Sequence, residues 1–89
     1  MLDLRITSPG HLTPEVVDVL ASAPAVAEIA VLPGASVRPD GDVVMATVAR
    51  EAVAGVVDAL VDLGVPKEGA IRVFPVYSWD SWPVTTDGS

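Results

Sequence analysis

Leu2, Leu4 and Ile6 alternate with Asp3, Arg5 and Thr7 at the start of the chain, the period of two that gives a strand one apolar face. Ser8-Pro9-Gly10 predicts the end of that strand. Thr13 then reads as a helix N-cap, with Pro14 at the first helical position and Glu15 near the positive end of the helix dipole. Leu12 and Val17 have the spacing of a hydrophobic staple. Val16, Val17, Leu20 and Ala23 keep the helical spacing until Pro24 stops it.

Glu28 to Leu32 reads as a second strand, closed by Pro33-Gly34. From Pro33 to Asp42, Pro-Gly and Pro-Asp-Gly predict a loop, since Pro presets φ and Gly accepts positive φ. Asp42 to Ala49 is a third strand, with Val44, Ala46 and Val48 on one face and Val43, Met45 and Thr47 on the other. Arg50 and Glu51 open a second helix whose apolar stripe is Val53, Val56, Val57, Leu60 and Leu63, with Gly64 where a C-terminal cap belongs. Ala70 to Val76 is the last strand, and Pro75 argues that it lies at a sheet edge.

The chain repeats itself weakly. Val16-Val17-Asp18-Val19-Leu20 returns 40 residues later as Val56-Val57-Asp58-Ala59-Leu60, and Val31-Leu32-Pro33 returns 42 later as Val73-Phe74-Pro75. Two strand-helix-strand halves of matching length, joined under the right-handed crossover rule, predict an α+β domain of ferredoxin-like βαββαβ type. Its four-stranded antiparallel sheet has the order 4-1-3-2, with both helices on one face. Residues 1–77 form this domain and residues 78–89 a Trp-containing tail or linker.

With both helices on one side, the other face of the sheet is bare. It carries Leu32, Val43, Met45, Phe74 and Val76 beside Asp3, Arg5, Thr7 and Ala30, with Arg72 near the edge. An apolar cluster of this kind predicts a partner surface, face to face or edge to edge with a second copy of the chain. Composition strengthens that expectation. Val (17) and Ala (12) dominate an 89-residue chain that has only four aromatic residues. Folding at this length buries only about 60% of the extended chain's surface, so small side chains leave stability in need of burial between subunits.

Charge and residue content exclude several functions. Five basic against 12 acidic residues leave a net charge of −7, a poor match for nucleic acid or anionic lipid. The absence of cysteine removes disulfides, thiolate zinc sites and cysteine nucleophiles. The longest charge-free runs are nine residues, such as Val19 to Ala27 and Ile29 to Val37, against the ~20 that a spanning helix needs. Met1-Leu2-Asp3-Leu4-Arg5 lacks the basic start and apolar core of a signal peptide, so a cytoplasmic location is expected.

Candidate chemistry is sparse. His11 lies close in sequence to Ser8 and Thr13, but a hydrolytic triad also needs an orienting acid and an oxyanion hole, and the spacing supplies neither. Asp40-Gly41-Asp42 lacks the alternating ligands of a calcium loop, because Val43-Val44-Met45 follows. Glu15, Asp18, Asp58 and Asp62 read as a solvated acidic surface. No catalytic residue, metal site or cofactor is expected. The best small-ligand candidates are the turns Ser8-Pro9-Gly10 and Leu32-Pro33-Gly34, the first of which precedes helix 1, whose free N–H groups suit a carboxylate or phosphate. Trp79 and Trp82 are expected to be interface anchors, docking on the bare sheet face or a neighbouring subunit, or else to lead toward a membrane.

Several stretches carry a resemblance: Leu2-Asp3-Leu4-Arg5-Ile6-Thr7-Ser8-Pro9, the turn Val31-Leu32-Pro33-Gly34-Ala35, Asp42 to Glu51 running on to Ala52, and Leu63-Gly64 before the last strand. Over about residues 1–76 the chain resembles the soluble N-terminal region of a bacterial family of membrane proteins known only as a hydrophobic domain of unknown function. The resemblance implies either a regulatory or oligomerisation domain ahead of transmembrane helices, with a parent protein in the plasma membrane, or a free-standing relative of such a domain, and in both cases no catalytic residues to carry over. The expected fold is also similar to ACT-type modules, which implies an alternative, a small-metabolite sensor. An enzyme on the same scaffold is the third reading, and the shortage of His, Lys and Cys weighs against it.

Overall fold

The computed structural model describes residues 1–75. The elements in order are β1 (Leu2–Ser8), α1 (Thr13–Ser22), β2 (Val26–Ser36), β3 (Gly41–Val48), a 3-10 turn (Arg50–Ala52), α2 (Val53–Asp62), a short α3 (Val65–Glu68) and β4 (Ala70–Pro75). The strands form one antiparallel sheet in the order β2-β3-β1-β4, giving an α+β domain. β1 is central, paired with β3 along its whole length and with β4 from Leu2 opposite Pro75 to Thr7 opposite Ala70.

The alternation in β1 and β3 sets the inner face. Leu4 and Ile6 face inward with their neighbours Ala46 and Val44, and Val48 joins them. Val16 and Leu20 of α1 and Val56 and Leu60 of α2 close over these residues. The two copies of the repeated Val-Val-Asp-x-Leu motif thus occupy equivalent helical positions, each burying its first Val and its Leu. Among the described residues nothing in this core is larger than Leu or Ile, each contributing about 1.5–3 kcal/mol of burial.

Four expectations need correction. Thr13 is not the N-cap of α1; Leu12 holds that position in a helical conformation, and no side chain caps the helix. The Thr13 hydroxyl instead donates to the Asp42 carboxylate, a charge-assisted hydrogen bond, and accepts no backbone N–H of the helix. β2 does not close at Pro33-Gly34 but runs on to Ser36, which pairs with Gly41, so the expected ten-residue loop shrinks to a turn over residues 37–40. The register shifts between Leu32 and Ser36, and this irregularity accommodates Pro33, which has no N–H to give to the ladder, at an edge strand. The second helix opens as a 3-10 turn, and α3, absent from the sequence reading, buries Val65 beneath the sheet end. Gly64 does follow α2 as its left-handed cap. β4 is described to Pro75; Val76 and the tail residues Trp79 and Trp82 lie outside the described residues.

Candidate functional site

Two places on the molecule gather the residues singled out by sequence. The first is the open face of the sheet. Asp3, Arg5 and Thr7 of β1 stand beside Thr47, Met45 and Val43 of β3 on one side and Phe74, Arg72 and Ala70 of β4 on the other. Glu28, Ala30 and Leu32 of β2 complete the row. The expected interface residues Leu32, Val43, Met45 and Phe74 do share this face, and Leu32, Met45 and Phe74 are 45%, 40% and 40% exposed.

The polar groups on this face are arranged in two sets. Arg5 and Arg72 are directly opposed, a like-charge pairing that is unfavourable by itself. The Arg5 guanidinium lies 5.4 Å from the centroid of the Phe74 ring, a cation–π contact that holds one of the two charges over an aromatic surface. Toward β2, the Thr47 hydroxyl donates to Asp3 Oδ1 at 3.1 Å, with Glu28 Oε1 3.5 Å away. Between the sets lies a concavity of about 630 Å³, bordered by Asp3, Arg5, Glu28, Met45, Thr47 and Phe74.

The second place is the sheet end where β1 passes into α1. Asp42, the first full residue of β3 after Gly41, reaches across it. The Thr13 hydroxyl donates to Asp42 Oδ2 at 2.6 Å, and the Gly34 N–H donates to Asp42 Oδ1 at 2.7 Å. The Ser8 hydroxyl, buried at the end of β1, lies 3.0 Å from Thr13 Oγ1 and donates to the Pro9 carbonyl at 3.2 Å. Asp42 thereby ties together the two Pro-Gly turns proposed as ligand sites: Pro9 and Gly10 on one side, Leu32, Pro33 and Gly34 on the other. Gly34 presents its N–H inward from a left-handed backbone with φ of 65°, which a side chain would disfavour. The Thr13 hydroxyl, and then the Gly34 N–H, hold the Asp42 carboxyl below its ordinary pKa of 3.8.

No family model, no curated protein and no solved structure matches the chain. Function is therefore a matter of what these two places can do.

The turn end already contains an anion of its own. Asp42 takes up the Thr13 hydroxyl and the Gly34 N–H, one donor from beside each turn. His11 is exposed, with Nε2 3.8 Å from Glu68 Oε2 on α3, while the Ser8 hydroxyl is buried and bonded to neighbours. Of the residues that a hydrolytic reading would combine, Ser8 and Thr13 are bonded to one another and His11 is turned to Glu68. Among the described residues, no group of three His, Asp or Glu stands together, and no helix is long and apolar enough to cross a membrane. Asp42 as a hub was not legible from sequence, because its partner Thr13 is 29 positions away and Asp-Gly spacing signals only a turn.

Proposed function

We propose that this chain is a non-enzymatic regulatory or oligomerisation domain that acts by pairing with a second copy of itself. The observation that carries the reading is the open sheet face, where Leu32, Met45 and Phe74 are exposed together and Met45 and Phe74 border a concavity. Burial of such a patch is favourable, and a core limited to small aliphatic side chains leaves a further contribution to be gained between copies. Following the resemblance, the domain is the soluble N-terminal part of a membrane protein, facing the cytoplasm with its parent in the plasma membrane. The architecture we infer is ferredoxin-like: β2-β3-β1-β4, counted from the other edge, is 4-1-3-2.

Light scattering at micromolar concentration tests the reading, with an expected mass of at least twice 9.2 kDa. A monomeric mass overturns it. The second reading, an ACT-like metabolite sensor, is favoured by the size of the concavity, which falls within the ~300–1,000 Å³ of small-molecule sites. A thermal-shift screen of amino acids and nucleotides separates the two, since only a sensor gains stability from a small ligand.

A further inference from the structure

The two edges of the sheet are unlike. β4 carries Arg72 and ends in Pro75, a charge and a missing N–H of the kind that discourages strand addition. β2, described over 11 residues, carries the single charge Glu28 and has Pro33 within its second irregularity, which leaves the run Glu28 to Leu32 free of proline. It is exposed on both faces: Leu32 on the open face and Ile29 and Val31, each 38% exposed, on the helix side. Among the described residues, nothing pairs with its outer row of N–H and C=O groups. Such a row is complementary to another strand and to little else.

The irregularities of β2 restrict how a strand can add. The register against β3 shifts between Val26 and Glu28 and again between Leu32 and Ser36, so the regular run is Glu28 to Leu32, with Ala30 at its midpoint. A two-fold axis at Ala30 places Ile29 opposite Val31, Glu28 opposite Leu32, and Ala30 opposite itself. The apolar pair on the helix side is then matched on both sides of the axis. The two glutamates are about 13 Å apart along the strand direction and do not oppose one another.

We propose that β2 is the seam of self-association: β2 of one copy pairs antiparallel with β2 of a second about a two-fold axis at Ala30, joining two four-stranded sheets into one of eight. The inference rests on the proposal that the chain self-associates, and it names the surface. Glu28 and Ala30 also border the open-face concavity, so the seam brings the two concavities side by side in one trough.

The chain has no cysteine, which allows a direct test by crosslinking. In the proposed pairing, the two copies of residue 30 have Cα atoms about 4.5–5.5 Å apart, within disulfide range. Ala30→Cys is expected to form a covalent dimer under mild oxidation. Glu28→Cys alone is expected to stay monomeric under the same denaturing readout, while Glu28→Cys combined with Leu32→Cys crosslinks. If Glu28→Cys alone crosslinks as readily as Ala30→Cys, the register is wrong and the seam is overturned. If unmodified protein is dimeric by light scattering but Met45→Cys crosslinks and Ala30→Cys does not, the copies meet through the open face; self-association then stands and the β2 seam falls. A monomeric mass with no crosslink at residue 30 overturns both.

Discussion

Asp42 is a surface carboxylate whose two oxygens are committed to different segments, one to the start of α1 through Thr13 and the other to the irregular end of β2 through Gly34. Because the folded carboxyl ionises more easily than the unfolded one, its stabilising contribution is fully present above the ordinary pKa of 3.8 and is lost as pH falls through the lowered folded value. Asp42→Asn is therefore expected to lower stability at neutral pH and to flatten the fall in stability below about pH 4, measured by urea unfolding across an acid series. Gly41 beside it has a different constraint. A Cβ at Gly41 would collide with the backbone carbonyl of Ser8, and backbone cannot swing aside as a side-chain tip can. Gly41→Ala is expected to cost about 2 kcal/mol in the same measurement.

The paired helices α1 and α2 each hold the sheet by two fully inward positions, Val16 and Leu20 in one, Val56 and Leu60 in the other. Leu20→Ala and Leu60→Ala are each expected to cost about 2–5 kcal/mol, a large share of the total for a domain of this size, and to show it as lower urea midpoints. These helices and the strands β1 and β3 were legible in the sequence because a buried face imposes a period, and their periods are uninterrupted. The open face was legible for the same reason, with Leu32, Met45 and Phe74 falling on it by parity. What escaped was set by contacts between distant segments. Pro33-Gly34 carries a local turn signal, yet the pairing of Ser36 with Gly41 extends the strand past it and makes the pair an irregularity within an edge strand. Thr13 has the composition of an N-cap, but its hydroxyl answers to Asp42, which no local pattern announces. α3 has four residues, too few to show a period.

At the scale of the whole molecule, charge opposes the proposed assembly. Each copy has a net charge of −7, so two copies repel through solvent, and the repulsion is screened as ions are added. The dimer is expected to tighten when salt is raised from about 20 mM to about 500 mM, with Debye length falling several-fold, as followed by sedimentation equilibrium. The sheet has one further property at this scale. Leu2 and Pro75 are partners on adjacent strands, so the two ends of the described strands lie side by side, at one end of the sheet. Neighbouring antiparallel strands bring such positions to within about 5 Å, close enough for a short peptide to join them. The stretch of residues 2–75 is accordingly expected to tolerate splicing into a surface loop of a host protein, with almost no separation imposed on the host's two ends. By the same token its chain order can be rotated, opened at the turn over residues 37–40 and closed between Pro75 and Leu2, without changing which strand lies next to which.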